Sequence, residues 1–481
     1  MRIPRSSFHE SVFSLIDHLN SSDVAKLPED KRIRLMPYRL NSPGNRLFIN
    51  GTRGDGCAVW ATTPSSLGWA VPQEFDRSAH DLIMGAIGPL VQGLRDNFDI
   101  GFERLLEFDG YTFRHYLESV AGWPSAVVDF VETVTSQSNQ FTLSTVEMVM
   151  QFMDFDTKEW STIEDGMDRL PLAMAHIVGL EHITFGARVT GFTHMDHGRI
   201  SVRASGYLGK IEATYDNIIF AIPPAALKMI ADRPSWSIQK ELAIRSMHFE
   251  PLYKMGLRFK TRFWERVKAP LQSSFGGQST TDLPIRWVVY PSYGLGDDGP
   301  GVLLLYSWMT DAAAWLPLPE TERRELALHC LAKLYDGVNV YDELIETFDV
   351  AWTTRNATGD AMFLPGQFTS QFEAARRPEG NVYFAGEHLS RHHTWISGAL
   401  ESALESVRGI LGNPDLPALG CDAMSTEKEA EVQFLDLPQP SVHPRIESPH
   451  LGHMTFSECD VDQTVMQHWG WEFVNNDAIF A

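Results

Sequence analysis

Apolar residues recur at helical spacing in several parts of the chain. In residues 8–19 the apolar side chains fall three or four positions apart: Phe8, Val12, Leu15, Ile16 and Leu19. The same period runs through most of 70–160 and returns at 162–178, 319–335 and 395–411. We therefore predict a largely helical block at 70–160, with Pro124 at one helix start, and separate helices elsewhere.

Alternation of apolar and polar residues, which is typical of half-buried strands, dominates other segments. Residues 182–222 predict three or four strands, and the almost entirely apolar 217–222 predicts a buried one. Further strands are predicted at 34–40, 45–51, 381–385 and across 251–310. This mixture predicts the α/β class with α+β features. After residue 412 the chain becomes polar and proline-rich, so we predict a largely disordered tail at 413–481.

Composition restricts the class of protein and its partners. The 481 residues, 43% hydrophobic and 21% charged, suit a packed protein of roughly two to four domains. The 40 Lys and Arg against 62 Asp and Glu give a net charge of −22, which disfavours nucleic acid and anionic membranes as partners. No apolar run reaches the roughly 18 residues of a membrane span. The first residues lack the apolar core of a signal peptide, so a cytoplasmic location is the default expectation.

The segment 381–411 carries the clearest chemical signal. A predicted strand at 381–385 leads into a turn at Gly386-Glu387 and a helix near Trp395 whose first turn contains small residues. Backbone N–H groups at such a helix start can face an anion or a polar ring edge, and small residues permit close approach. A dinucleotide cofactor needs both features, although plain strand–helix packing explains the same pattern.

A second signal is a lysine inside an apolar strand. In residues 253–259, Lys254 and Gly256 share one face of the predicted strand. A buried lysine is costly unless it has a hydrogen-bond partner, which points to a functional role. The alternative is an edge strand whose lysine faces water.

The other apparent motifs do not indicate a functional site. Residues 294–299 spell GxGxxG, but two acids lie inside the motif and a strand-like run follows, so we predict a surface turn. The four cysteines have no CxxC spacing, and the 17 histidines form no ligand-like cluster. We therefore predict neither a disulfide framework nor a metal site.

These segments together resemble the flavin-containing amine oxidase superfamily, and more closely its L-amino-acid oxidase branch. NVYFAGEH with HTWISGALESA is similar to the C-terminal flavin motif, and YKMGLRFKTRFWE is similar to the lysine strand of that family. Three further segments resemble the L-amino-acid oxidase branch: GGQSTTDLP at 276–284, DGMDRLP at 165–171, and MRIP at the start. The matches follow the family's order over residues 1–411.

The resemblance implies a role for each matched residue. Arg2 and Tyr306 are expected to bind the substrate α-carboxylate, Lys254 to hold a water near flavin N5, and Trp395 to wall the substrate cavity. The cofactor is expected to be FAD, held noncovalently because 386–399 contains no cysteine for a covalent link. The expected flavin contacts are Val189, Gly386, Glu387, Trp395, Ile396 and Ala399.

The resemblance also implies a Rossmann-like FAD-binding domain, an interleaved substrate-binding sheet domain and an inserted helical domain. The family's N-terminal βαβ unit with GxGxxG does not precede Met1, so we expect the Rossmann-like part to be incomplete at its N-terminus. The implied division is a substrate-domain part at 1–50, the helical insertion at 51–160, FAD-domain parts at 161–240 and 366–412, and the remaining substrate domain at 241–365.

Two positions depart from the family's pattern, and both bear on substrate choice. The segment 359–367 is shorter than its equivalent and has an acid, Asp360, where a small residue is usual. Thr394 replaces the glycine that usually precedes the tryptophan. The side-chain specificity is therefore left open.

The expected reaction is FAD-dependent oxidative deamination of L-amino acids by O₂, which gives a 2-oxo acid, ammonia and hydrogen peroxide. One alternative is oxidation of a simple amine or polyamine, and another is a catalytically inactive fragment. Arg2 and Tyr306 favour an amino acid over a simple amine as the substrate, because a simple amine has no carboxylate to bind them. A homo-oligomer remains open.

Overall fold

The computed structural model describes residues 2–21, 27–55, 59, 61–137, 139–207, 209–267, 272–352 and 358–412. The strands in these ranges are β1 (Ile3–Pro4), β2 (Leu35–Pro37), β3 (Arg46–Ile49), β4 (Thr52–Asp55), β5 (Trp160–Ile163), β6 (Ala187–His194), β7 (Ile200–Gly206), β8 (Gly209–Tyr215), β9 (Ile218–Phe220), β10 (Leu252–Phe259), β11 (Gln278–Thr281), β12 (Trp287–Val289), β13 (Gly301–Trp308), β14 (Leu344–Ala351) and β15 (Val382–Phe384). The α-helices are α1 (Glu10–Asn20), α2 (Ala79–Asp96), α3 (Phe98–Leu105), α4 (Phe113–Ser119), α5 (Ser125–Val134), α6 (Thr145–Phe155), α7 (Arg169–Val178), α8 (Pro224–Lys228), α9 (Ile238–Ser246), α10 (Met309–Ala313), α11 (Glu320–Leu334), α12 (Val340–Glu343), α13 (Glu373–Arg376) and α14 (Ile396–Leu411). The predicted tail at 413–481 lies outside the described residues.

The largest sheet contains the lysine strand in its interior. Its strand order is β14-β10-β13-β12-β11-β3-β4, and β10 pairs antiparallel with both β13 and β14. The edge-strand explanation for Lys254 is therefore wrong. Alternate residues of β10, including Met255 and Leu257, pack into a core that also contains apolar residues of α11. Lys254 consequently lies on the opposite face of the sheet.

The predicted helical block is confirmed by helices α2 to α6, which contribute a large share of the largest apolar core. Side chains at the starts of four of these helices accept a backbone N–H: Ser78, Asn97, Thr112 and Ser144. Buried apolar positions at helical spacing, such as Val127 and Val131 in α5, explain why this segment folds as packed helices.

A small sheet of order β1-β5-β2 holds the first residues against the end of the helical block. In its register Ile3 pairs with Ser161 and Pro4 with Trp160. Arg2, which immediately precedes β1, is thereby brought beside the end of α6. Strands β1 and β5 were not predicted, because two and four residues are too few to show a period.

The third part of the fold contains two separate sheets. Strands β6, β7 and β8 form an antiparallel meander, and β9 pairs in parallel with β15, which leads into the turn before α14. These elements confirm the predicted strands at 182–222 and the predicted strand–turn–helix at 381–411. The prediction that all of 217–222 is buried is wrong, because Ile219 is 38% exposed. Within the described residues β9 pairs only with β15, and the face that carries Ile219 is left uncovered.

Two further segments differ in how well the sequence pattern indicates their structure. The GxGxxG run at 294–299 is a turn followed by β13, as predicted. Strand β14 was not predicted. No helix in the part of the chain that the structure describes is long and apolar enough to cross a membrane. The same residues contain no group of three or more His, Cys, Asp or Glu side chains that could hold a metal ion.

Candidate active site

Three neighbouring strands place Lys254, Tyr306 and Trp287 in one row across the large sheet. Lys254 is the register partner of Tyr306, and Tyr306 is the register partner of Trp287. The Lys254 Nζ atom lies 4.8 Å from the centre of the Tyr306 ring. The ring centres of Tyr306 and Trp287 are 6.0 Å apart. The structure thus brings together two of the residues that the sequence singled out.

The environment of this row suppresses charge on both titratable side chains. Burial lowers the pKa of Lys254 to about 8, the charge of Asp360 opposes that shift, and the charge of Arg2 adds to it. Burial also raises the pKa of Tyr306 well above its usual value, and the charges of Asp360 and Glu250 act in the same direction. The Tyr306 hydroxyl therefore stays protonated near neutral pH and can donate a hydrogen bond.

The Arg2 guanidinium lies within a box of four aromatic rings. Its Cζ is 5.1 Å from the ring centre of Phe155, 5.5 Å from Trp287, 5.8 Å from Trp160 and 6.0 Å from Tyr38. The Nε atom of Arg2 is buried without a hydrogen-bond partner, and no carboxylate of the described residues forms an ion pair with this side chain. Such a guanidinium is suited to bind an anionic group brought by a ligand.

Trp395 extends the aromatic wall of the box and immediately precedes α14. Its ring centre lies 5.8 Å from that of Phe155 and 6.1 Å from that of Trp160, two of the rings around Arg2. The indole Nε1 is buried and has no hydrogen-bond partner. Trp395 is therefore adjacent to Arg2, the candidate residue for binding the carboxylate, as its predicted role as a wall of the substrate cavity requires.

Glu387 joins two backbone segments beside the site. Its Oε1 accepts a hydrogen bond from the Ala361 N–H at 3.0 Å, and its Oε2 accepts one from the Thr394 N–H at 2.8 Å. The preceding Gly386 has φ 152, a conformation that disfavours any side chain, and an added Cβ would lie 2.4 Å from the ring of His388. Gly386 and Glu387, the two residues that the sequence pattern selected, thus both stabilise the turn that follows β15.

The other predicted flavin contacts lie in two places. Ile396 and Ala399 occupy the first turn of α14, directly after Trp395. Val189 lies in β6, in a different sheet from Lys254 and Tyr306. The structure therefore gathers the substrate-site candidates around one location and sets Val189 apart, while the role of each residue remains a prediction.

Buried carboxylates that sequence reasoning missed surround the same location. Glu147 of α6 accepts the Phe363 N–H at 2.8 Å and pairs with His393 at 2.7 Å. Glu250 accepts the side-chain amide of Gln140 at 3.0 Å. The available signal for Glu147 was an acid among the apolar positions of the helix TVEMVMQFMDF, since a buried charge requires a partner.

Asp360 belongs to this group but differs in its contacts. Its Oδ1 is buried and has no hydrogen-bond partner. Burial raises the pKa of Asp360 to about 7, the nearby charge of Glu387 adds to the rise, and Lys254 opposes it. This unpaired carboxylate is the acid that distinguishes the segment 359–367.

The unpartnered polar atoms test whether a cofactor and substrate fit here. Arg2 Nε, Asp360 Oδ1 and Trp395 Nε1 are all buried without partners, whereas buried polar atoms in folded proteins are normally hydrogen-bonded. A polar ring system and a charged substrate would supply the hydrogen-bond partners that these atoms lack. The aromatic wall, the start of the 16-residue α14 and a lysine with a pKa of about 8 fit a flavin. Fold and site together define a flavin-dependent oxidoreductase.

Comparison with known proteins gives the family. The family model described as flavin-containing amine oxidoreductase matches residues 1–411, and the chain belongs to this family. FAD is accordingly its cofactor. The match covers the whole segment that carries the ordered motifs, and it confirms the resemblance that those motifs indicated.

Several individual proteins are similar to this chain. A Dictyostelium discoideum protein provisionally named a bifunctional amine oxidase is 30% identical over 408 residues, which span 79% of this chain and 38% of that protein. A Bacillus subtilis protein provisionally named an L-amino-acid oxidase is 28% identical over 396 residues, with coverage of 79% and 78%. L-amino-acid oxidase 4 of Hebeloma cylindrosporum is 29% identical over 429 residues, with coverage of 79% and 67%.

Solved structures establish the fold. A putrescine oxidase variant superposes with a TM-score of 0.64 at 16% identity and covers 85% of this chain and 87% of that one. Cyclohexylamine oxidase from Brevibacterium oxydans gives a TM-score of 0.60 at 14% identity, with coverage of 82% and 85%. These similarities confirm the predicted mixed α/β, Rossmann-like flavoprotein fold.

Proposed function

We propose that this protein oxidises L-amino acids to 2-oxo acids, with release of ammonia and hydrogen peroxide, by means of noncovalently bound FAD. The observation that carries the proposal is the Arg2 guanidinium, enclosed by aromatic rings and without an ion-pair partner among the described residues. A substrate carboxylate would supply that partner, and Tyr306, on the strand next to that of Trp287, would donate a second hydrogen bond. The relatives named as L-amino-acid oxidases support the same class of substrate.

The protein's own residues would act mainly by positioning the substrate. Arg2 and Tyr306 would fix its carboxylate, Trp395 would limit its movement, and Lys254 would hold a water molecule. When bound, FAD supplies the two-electron oxidation and is reoxidised by O₂. Gly386, Glu387, Ile396 and Ala399 would contribute the flavin-binding surface at the start of α14.

Oxidation of an amine or polyamine is the second candidate. The observation that favours it is the group of buried carboxylates near Tyr306, since Glu250 and Asp360 both raise its pKa and would attract a cationic substrate. Arg2 argues against it, because a diamine would place no anion in the aromatic box. Substrate comparison separates the two candidates directly.

The first prediction concerns Arg2. Replacing Arg2 with Met should lower kcat/KM for L-leucine by the equivalent of about 2–5 kcal/mol, since a buried charge-assisted contact is lost. The decarboxylated analogue isoamylamine should be affected little, and Arg2→Lys should fall between. Peroxide production gives the rates, and calorimetric titration with hexanoate, which carries only the carboxylate, gives binding without turnover.

The matched control is Arg5→Met. Arg5 lies three residues away but stacks on Phe13 at 4.4 Å and donates to Ser161, outside the box. This variant should leave the L-leucine kinetics unchanged. Equal losses for L-leucine and isoamylamine in Arg2→Met, or faster oxidation of isoamylamine than of L-leucine by the wild-type protein, would contradict the proposed function.

A further inference from the structure

The Asp360 carboxylate is held beside the substrate-site residues, and its buried Oδ1 has no hydrogen-bond partner. The next residue, Ala361, donates its N–H to Glu387 at 3.0 Å, and Glu387 also accepts the N–H of Thr394, the residue before Trp395. The charge of Asp360 raises the pKa of Lys254 and of Tyr306. Its Oδ1 is buried and unbonded, and within the described part of the chain no lysine, arginine or histidine forms an ion pair with it. A buried carboxylate without an ion-pair partner is energetically costly, and a cationic group on a bound ligand would offset that cost.

The backbone that carries Asp360 is rigidly fixed. The Asp360 carbonyl accepts the Glu250 N–H at 2.9 Å, and the next N–H, that of Ala361, donates to Glu387 at 3.0 Å. Gly359 passes so close to Glu250, two residues before β10, that an added Cβ would lie 1.6 Å from its carbonyl oxygen. The side chain of Asp360 therefore projects from a backbone that cannot easily withdraw it.

The neighbouring carboxylates already have protein partners. Glu387 accepts two backbone N–H groups, Glu147 pairs with His393, and Glu250 accepts the Gln140 amide. Asp360 is the member of this group that retains a buried oxygen for a ligand. Arg2 and Asp360 shift the pKa of Lys254 in opposite directions, so a cation and an anion both border the row of Lys254 and Tyr306.

We propose that Asp360 selects L-amino acids whose side chain ends in an ammonium or guanidinium group. The inference rests on the proposed function, because it assigns the α-carboxylate to Arg2 and the distal cation to Asp360. L-Lysine, L-ornithine and L-arginine have this pairing of charges. An apolar side chain of the same length would leave the carboxylate unpaired, and such sites discriminate strongly against ligands that lack the polar group.

The selection should depend on pH in a defined direction. Burial and Glu387 raise the pKa of Asp360 to about 7, Glu147 adds to the rise, and Lys254 opposes it, while Glu250 faces it from the adjoining segment. A carboxyl group with a raised pKa is neutral below that value and charged above it. Preference for a cationic side chain should therefore increase as the pH rises from 6 to 8, where the distal amine of L-lysine stays protonated.

The test compares ligands that differ only in the distal amine. The FAD-loaded full chain should favour L-lysine over L-norleucine in kcat/KM by roughly ten- to a hundredfold. Asp360→Asn and Asp360→Ala should remove most of this preference by weakening L-lysine while changing L-norleucine little. Glu346→Gln, which removes an exposed carboxylate of β14 that pairs with Arg258, should keep the preference.

Binding without turnover provides a second readout. Calorimetric titration should show that 6-aminohexanoate binds the wild-type protein more tightly than hexanoate does, and that Asp360→Asn abolishes the difference. Equal binding of the two probes by the wild-type protein would overturn the inference. So would an equal loss for L-lysine and L-norleucine in Asp360→Asn, because the residue would then act on the reaction and not on the side chain. Failure of the proposed function is recognised separately, since hexylamine would then be oxidised in preference to L-norleucine and Arg2→Met would leave hexanoate binding unchanged.

Discussion

Lys254 combines a basic side chain with surroundings that disfavour its charge. Burial lowers the pKa of Lys254 to about 8. The side chain is therefore mainly protonated below pH 8 and mainly neutral above it. We expect the rate of flavin reduction or of reoxidation to change near pH 8 in the wild-type protein, and this transition to be absent in Lys254→Met, which should still bind FAD. Stopped-flow measurement of both half-reactions across pH gives the answer.

Lys260→Met is the matched control for this prediction. Lys260 follows the same strand but is exposed and donates to the carbonyl of Asp342. Its replacement should leave the pH profiles intact. Wild-type profiles in Lys254→Met would show that Lys254 has no part in either half-reaction.

Thr394 shows how a departure from the family's pattern is accommodated. The resemblance placed a glycine here, and the backbone has φ 70, in the left-handed region that disfavours a β-branched residue. Relief of this strain exceeds the entropy that glycine adds to the unfolded chain, so Thr394→Gly should stabilise the protein by about 0.5–1 kcal/mol. Urea denaturation measures the difference.

The control is Thr193→Gly in β6, where the residue pairs with Ser201 in the antiparallel ladder and glycine brings no relief. That variant should lose stability, because glycine weakens a strand. Loss of stability in both variants would show that the contacts of Thr394 outweigh its strain.

At the scale of elements, one buried network ties three helices together around the site. His9, just before α1, contacts Ser397 of α14 at 2.8 Å and Asp154 of α6 at 3.3 Å, and His392 approaches the same carboxylate at 3.6 Å. Burial alone would raise the pKa of Asp154, but His392 and His9 lower it to about 2, below its ordinary 3.8. The network thus stabilises the charged form of Asp154.

Asp154→Asn should therefore lower the free energy of unfolding by roughly 1–3 kcal/mol. Because the folded-state pKa is depressed, the wild-type contribution is complete above about pH 3.8 and is lost as the pH falls towards 2. Thermal denaturation at pH 7 and at acid pH measures both effects. Asp156→Asn is the control, since Asp156 pairs with Arg95 at the surface and should change stability by less than about 1 kcal/mol. Equal losses in the two variants would argue against the network.

Elements with a sustained period were predictable, and short or irregular ones were not. The helical block and β10 follow from apolar spacing over eight or more residues. Strand β14 was missed because its sequence LIETFDVA carries acids among its apolar positions and its residues are only partly buried. Strands β1 and β5 acquire their identity only by pairing with distant segments.

The candidate site was predictable to the extent that its residues belong to recognisable segments. Arg2, Lys254, Tyr306 and Trp395 were selected from motifs in the family's order, and the structure places them together. The box around Arg2 was not predictable, because Phe155, Trp160 and Trp287 converge only through tertiary packing. The unpaired state of Asp360 was hidden for the same reason, since the sequence does not show which side chains face a carboxylate.

At the scale of the whole molecule, the site lies where otherwise separate parts meet. Arg2 precedes the small sheet, Lys254 and Tyr306 belong to the large sheet, Phe155 ends α6, and Trp395 follows the β9–β15 pair. A ligand bound among these residues would contact several structural units at once. Ligand binding to the folded state alone stabilises it by mass action, so occupancy of this site would help to hold the units together.

The hydrogen bonds that hold residues 359–361 to Glu250 and Glu387 are made by backbone atoms of this segment. Position 360 can therefore accept a different side chain while the loop keeps its course. If Asp360 selects the substrate side chain as we propose, a single codon change at this position would alter the substrate preference in evolution without rebuilding the cofactor site. A library randomised at this one position would be small enough to screen completely, and it would sample acidic, neutral and apolar pockets on an unchanged scaffold.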